Sequence, residues 1–161
     1  MATIGVFAAI FDEQGRILCV RQADAAGRWS TPGGGVEKGE SPPDALFREV
    51  IEECGYMVRA RRLIGVYAAP FKNDLALSFE VDIVGQVDWK PNREIAEIGW
   101  FGRDELPYPM RAWTLARIYD AFDGKSGILR VFSSKSDKAS DILPALLDDD
   151  FLDHTMMGFH S

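Results

Sequence analysis

Four of the five glutamates between Gly34 and Tyr56 stand with one arginine at fixed spacings: Glu40, then Arg48-Glu49, then Glu52-Glu53. A helix places residues at i, i+3 and i+4 on one face, so Glu49, Glu52 and Glu53 would project together. Like charges at i, i+4 destabilise a helix by roughly 0.2–0.5 kcal/mol, and by more where burial crowds them. Cations relieve that repulsion. Oxygen donors of this kind select hard divalent ions such as Mg²⁺ or Mn²⁺, and a phosphate chain held by such an ion is the natural ligand. A solvated acidic face paired to neighbouring Arg or Lys is the plain alternative, and it suffices for a lone Glu-Glu pair.

The helix that must carry these acids has legible ends. Ser41 suits the N-cap, and Pro42 and Pro43 stand where the first helical N–H groups lack partners anyway. Asp44 places negative charge in the first turn, and Gly55 suits the left-handed residue that stops a helix. The spacing therefore predicts a helix over Pro42–Cys54. Leu46, Phe47, Val50, Ile51 and Cys54 cover much of its remaining surface, which implies packing on more than one side. Upstream, Trp29-Ser30-Thr31-Pro32-Gly33-Gly34-Gly35 reads as a loop whose three consecutive glycines permit φ > 0 and a close backbone approach to a ligand.

Taken together, this segment resembles the Nudix box: Gly, five residues, Glu, seven residues, Arg-Glu, an aliphatic, any residue, Glu-Glu, any residue, Gly, an aliphatic. Gly34, Glu40, Arg48, Glu49, Val50, Glu52, Glu53 and Gly55 match, and Tyr56 departs from the usual aliphatic. The resemblance implies a loop–helix–loop that binds Mg²⁺ or Mn²⁺ and cleaves a diphosphate linkage, here in a nucleoside diphosphate derivative. By similarity Glu49, Glu52 and Glu53 are metal ligands, with the Gly33 carbonyl as a further one. Arg48, Glu40 and Gly34 are supporting residues. A carboxylate free to take a proton from the attacking water is Glu53, Glu49 or an acid of a later loop. In that loop Glu94 is favoured by its distance from Trp100, and Glu97 reads as a rim residue. A Nudix-fold sensor that binds a nucleotide without turnover is the alternative, although the intact acid set favours an enzyme.

The chain has 161 residues, 47% of them apolar, and a net charge of −7. That fits one domain of ordinary size with a sizeable core. The acidic balance argues against a nonspecific nucleic-acid groove, so no duplex partner is expected. It leaves nucleotides open, because bound metal inverts local charge. No apolar run approaches a membrane span, and the N-terminus lacks a signal-like pattern. A cytoplasmic location is the expectation. Cys19 and Cys54 form no paired motif and read as two reduced, apolar thiols.

Along the chain, strands are expected over Thr3–Phe11 and Arg16–Gln22, joined as a hairpin at Asp12-Glu13-Gln14-Gly15. Further strands are expected at Trp29, Val58–Ala69, Leu75–Gly85 and Ile98–Phe101, with a second helix over Met110–Phe122. This order gives an α/β (α+β) fold, and the resemblance implies an α/β/α sandwich around a mixed sheet. The domain is expected to span residues 1–124. Residues 125–161 read as an extension: a polar linker around Ser133–Asp141, then a short amphipathic helix over Asp141–Leu152. The resemblance admits a homodimer, which no residue pattern here specifies.

Substrate signals are thin. Arg21, at a strand end, could reach a phosphate or simply be exposed. Trp29, Tyr67, Phe71 and Phe79 could stack on a base, although aromatics beside strands usually belong to the core. Pro70 stands near, but not at, the position where a proline accompanies ADP-ribose hydrolases in the family. Nucleoside triphosphates, nucleotide sugars and ADP-ribose all remain open.

Overall fold

The computed structural model describes residues 2–133 and the strand at 156–158. Helix α1 spans Pro42–Cys54, as its end signals predict. Ser41 is extended (φ −77°, ψ 155°), and its hydroxyl accepts a hydrogen bond from the Asp44 amide. That bond satisfies one of the donors every helix start leaves open. Gly55 closes the helix at φ 78°, its amide donating to the Ile51 carbonyl. A Cβ there would lie 2.7 Å from the Trp89 Cβ, so glycine is required by space as well as by φ. The buried arc of α1 is Ala45, Leu46, Val50, Glu53 and Cys54. Phe47 is 38% exposed, so the helix packs on one side and its apolar arc is wider than its buried one.

Around it lie β1 (Thr3–Ala9), β2 (Ile17–Gln22), β3 (Trp29–Ser30), β4 (Gly33–Gly35), β5 (Tyr56–Ala69), β6 (Asp74–Gln86), β7 (Ile95–Phe101), β8 (Ile128–Phe132) and β9 (Met156–Gly158). Among the described residues they form a mixed sheet of order β4-β1-β6-β5-β8-β9 and an antiparallel sheet of order β3-β2-β7. The mixed character comes from β1, antiparallel to β4 and parallel to β6, and from β5, antiparallel to β6 and parallel to β8.

Alternation along β1 and β2 explains the layers. Val6, Ala8, Ile10, Leu18 and Val20 join Leu46 and Val50 of α1 in one core. Ala9, Ile17 and Cys19 join Ile64 and the second helix, α2 (Ala112–Phe122), through Leu115 and Ile118 in another. Successive residues of a strand face opposite ways, so strands that read as continuous apolar runs are covered on both faces. The result is the expected α/β/α arrangement.

Four local expectations change. The turn after β1 forms, with Asp12 Oδ1 accepting from the Gln14 and Arg16 amides. Yet β1 and β2 part into different sheets beyond a single bridge at Phe11 and Ile17, because both edges of β1 are taken by β4 and β6. The glycine run is a strand rather than an open loop. None of Gly33, Gly34 or Gly35 has positive φ. Gly33 is needed because a Cβ would lie 2.0 Å from the Val6 carbonyl oxygen. Strand β7 starts at Ile95, three residues earlier than expected.

The fourth change concerns β8, which the sequence reading left unassigned. It adds to β5 in register Gly65 with Ile128. A buried network fixes it: Arg130 Nε and Nη2 donate to Asp120 Oδ2 and Oδ1, both at 2.7 Å, and the Tyr67 hydroxyl donates to Asp120 Oδ2 at 2.8 Å. The polar stretch from Ser134 and the expected helix over Asp141–Leu152 lie outside the described residues. Both cysteines are buried and free, their thiols pushed up to about 12 by burial.

Candidate active site

The first layer of the site is the joint between β4 and α1. Gly34 lies so close to the helix that an added Cβ would sit 2.4 Å from the Glu49 carboxyl carbon. Its neighbour Gly33 donates its amide to Glu53 Oε1 at 2.9 Å. Two carboxylates, one turn apart on α1, therefore meet the edge strand directly.

Arg48 binds the loop to the helix. Its Nε and Nη2 form a fork on Glu40, at 2.8 Å to Oε2 and 2.9 Å to Oε1. Nη2 also donates to the Gly35 carbonyl at 3.0 Å, and Nη1 to Glu49 Oε1 at 2.8 Å. Charge-assisted forks of this kind fix both partners in orientation. The guanidinium holds Glu40 at about 2, well below the usual carboxylate range. The carboxylates raise Arg48 in return. The expected supporting residues Arg48, Glu40 and Gly34 are thus brought together.

The three acids of α1 differ in environment. Glu53 is buried, 6% exposed. Burial first, and then the negative charges of Glu49, Glu94 and Glu52, push its carboxyl up to about 8, while the Gly33 amide opposes the shift. Glu49 is also raised, chiefly by burial, against the pull of Arg48. Glu52 is the exposed member, its side chain 51% accessible and 3.6 Å from Arg48 Nη1.

Glu94 reaches this field from another element. It contributes to the raised affinity of both Glu49 and Glu53 for protons. Its placement depends on contacts that sequence reading missed. Asn92 Oδ1 accepts from the Glu94 and Ile95 amides at 2.9 and 3.0 Å. The indole of Trp89 donates to the Glu52 carbonyl at 3.1 Å, and the Val87 amide to the Gly55 carbonyl at 2.8 Å. Asparagine readily bonds the backbone two residues on, and Asn92 was the available signal.

Other candidates lie elsewhere. Arg21 Nε pairs with Glu97 Oε1 at 2.7 Å across β2 and β7, so Glu97 is an ion-pair partner and Arg21 is already engaged. Trp29 packs edge-on against Phe101, and Phe79 joins the core under α1. Tyr56, the departure from the box, fills an apolar site against Trp100.

The donor chemistry fits a hard divalent cation. Glu49, Glu52 and Glu53 supply only oxygen ligands, and their mutual repulsion in a partly desolvated site is what a cation would remove. Among the described residues they do not already converge into a closed cage, and Glu49 is turned onto Arg48.

A family model for the NUDIX domain matches residues 1–122. The chain belongs to the NUDIX family. It is 33% identical over 133 residues to a MutT-like protein of Streptomyces ambofaciens, covering 83% of this chain and 85% of that one. A putative 8-oxo-dGTP diphosphatase of Bacillus subtilis is 36% identical over 107 residues, covering 66% of this chain and 71% of the relative. In structure, an ADP-ribose pyrophosphatase from Streptococcus suis superposes with a TM-score of 0.65 at 28% identity, covering 81% of this chain and 99% of that one. The Nudix box read from Gly34 to Tyr56 is therefore a family signature, and the enzyme class is Nudix pyrophosphohydrolase.

Proposed function

We propose that this Nudix enzyme hydrolyses a diphosphate linkage in a nucleoside diphosphate derivative, with Mg²⁺ or Mn²⁺ held by Glu49, Glu52 and Glu53 and the Gly33 carbonyl. The observation that carries this reading is Glu53, a buried carboxyl facing the charges of Glu49, Glu94 and Glu52. A bound divalent ion supplies Lewis acidity and charge neutralisation at the diphosphate. The chain's own residues do the rest. Glu53, Glu49 or Glu94 takes a proton from the attacking water as its oxygen bonds to phosphorus and the bridging P–O bond breaks. Arg48 keeps Glu49 and Glu40 in fixed orientations, as supporting residues around a metal do. The group attached to the diphosphate has room beside Gly34 and Gly35, in a cleft of about 250 Å³ that those glycines help to line.

Residues 1–124 are read as the catalytic domain and 125–161 as an extension whose first strand, β8, joins the main sheet. No described helix is long and apolar enough to cross a membrane, and a cytoplasmic location accompanies the reading.

The test is a hydrolysis panel in Mg²⁺, in Mn²⁺ and in chelator. It holds nucleoside triphosphates, nucleotide sugars, ADP-ribose and dinucleoside polyphosphates, with products read by chromatography. Metal-dependent release of a mononucleotide or phosphate from at least one member is the expected result. Tight binding of a nucleotide with no turnover in either metal would overturn the reading.

A further inference from the structure

Glu94 sits in an exposed loop, yet its backbone is held on both sides. Residues 90–94 are exposed, between the half-buried Trp89 and the fully buried Ile95. The Glu94 amide donates to Asn92 Oδ1 at 2.9 Å, and the Glu94 carbonyl accepts from the Ala23 amide at 2.8 Å. Connecting segments of this kind are ordinarily mobile and leave such groups to water.

Asn92 is the hub of this arrangement. Its Oδ1 also accepts from the Ile95 amide at 3.0 Å, and its own amide donates to the Ile95 carbonyl at 2.9 Å. Its Nδ2 turns the other way and donates to the Glu52 carbonyl at 3.4 Å. The same oxygen takes the indole N–H of Trp89 at 3.1 Å. Glu52 lies in the last turn of α1, where carbonyls have no partner within the helix. Trp89 is seated so close to Gly55 that no Cβ would fit between them. One side-chain amide therefore spans from the helix that bears Glu49, Glu52 and Glu53 to the loop residue Glu94.

The span acts against a repulsion. The charge of Glu94 is felt at both Glu49 and Glu53, and like charges drive one another apart. The free side of the loop is open to water, so a released Glu94 would move away from α1. We propose that Asn92 is a positioning residue for the hydrolytic reaction, joining the Glu52 carbonyl to the Glu94 amide so that the loop carboxylate stays over the acid face of α1. Trp89 assists by holding the same carbonyl. Neither residue touches the reacting atoms, and each acts on turnover through Glu94. This inference deepens the diphosphate hydrolase reading and rests on it.

The experiment is a double-mutant cycle between Asn92 and Glu94 in the full chain. The substrate is the panel nucleotide that the parent cleaves fastest in Mg²⁺. Asn92→Ala should lower kcat by at least about tenfold, as misplacement of a reacting group does, with KM near the parent's. Made in a Glu94→Gln background, the same change should cost no more than about twofold, because residues acting through one group are not additive. Asn92→Asp keeps acceptors for the Glu94 and Ile95 amides and should recover most of the loss. Trp89→Phe keeps the ring on Gly55, loses the N–H, and should lower kcat in the same direction. Hydrogen exchange of the Glu94 and Ile95 amides, followed by NMR, should quicken in Asn92→Ala and stay at the parent's rate in Glu94→Gln. Parental kcat in Asn92→Ala or in Glu94→Gln, losses that multiply in the double variant, or unchanged exchange in Asn92→Ala would each overturn the proposal. Turnover by the parent together with any of those results removes this inference alone. A parent that cleaves no member of the panel in either metal removes the hydrolase reading, and this inference with it.

Discussion

The Gly33 amide donates to Glu53 Oε1 at 2.9 Å, joining an edge strand to a helix twenty residues further along the chain. The bond favours the ionised carboxylate, yet burial and three neighbouring acids outweigh it and push Glu53 up to about 8. Glu53 is thus aimed and crowded at once. A cation would resolve that conflict, and a proton resolves it without one.

Glu53→Gln keeps the size and the Gly33 contact of the side chain and removes its charge and basicity. Metal-dependent hydrolysis should fall by about 10²–10⁴-fold, the range for losing a positioned acid–base group, with circular dichroism and cooperative melting preserved. Activity within tenfold of the parent would remove Glu53 from the catalytic set.

Metal-free stability should depend on pH in two opposed ways. Glu53 is raised from 4.5 to about 8 on folding, so its contribution is fully present below 4.5 and is lost as pH rises through 8. Glu40 is lowered from 4.5 to about 2 by Arg48, so its contribution is present above 4.5 and is lost as pH falls toward 2. In chelator, melting temperature should decline from pH 5 to pH 9, and Glu53→Gln should flatten that decline and melt about 3 °C or more higher at pH 9. A parent protein whose melting temperature is flat over that interval would contradict the burial of an ionisable Glu53.

Arg48 is a test of geometry rather than of charge. Arg48→Lys preserves the cation but cannot fork onto Glu40 while also reaching Glu49 and the Gly35 carbonyl. Turnover should drop by about 10–100-fold, the usual cost of losing a group that orients metal ligands, with binding of divalent ion weakened in parallel. Full activity in Arg48→Lys would show that a point charge is enough.

Gly34 and Gly35 make a matched pair. Gly34→Ala would drive a methyl to 2.4 Å from the Glu49 carboxyl carbon, whereas a Cβ at Gly35 meets nothing within 4 Å. Kinetics of the two variants should separate sharply: Gly34→Ala loses at least about tenfold in kcat, since an ångström of misplacement is costly in a catalytic site, and Gly35→Ala stays near the parent. Equal behaviour of the two would mean that Glu49 can move without consequence.

Sequence order alone revealed what local chemistry dictates. Ser41, Pro42 and Gly55 mark the ends of α1 because caps act on their own turn, and the acids of its face follow from helical period. Long-range choices were hidden. The turn at Asp12-Gly15 was legible, but the parting of β1 from β2 depends on β4 and β6 taking both edges of β1. Gly33–Gly35 read as a loop with positive φ and a close approach to a ligand; none has positive φ, and the close approach is to the Val6 carbonyl and the Glu49 carboxylate. Strand β8 was missed because Ile128–Phe132 is held by its pairing with Gly65–Ala68 of β5, far away in sequence, and by the Arg130 pair with Asp120. Within the site, Glu40, Arg48 and the acids of α1 were found by spacing. The anchoring of the Glu94 loop by Asn92 and Trp89 exists only once the chain is folded.

The central claim is that the carboxylates of α1 hold a divalent cation, and Mn²⁺ binding measured by the loss of the free-ion electron paramagnetic resonance signal tests it most directly. The unmodified protein should remove Mn²⁺ from solution saturably, Mg²⁺ should displace it, and Glu53→Gln should weaken the binding by at least about tenfold. Equal Mn²⁺ affinity in the parent and in folded Glu53→Gln would contradict the assignment of the site.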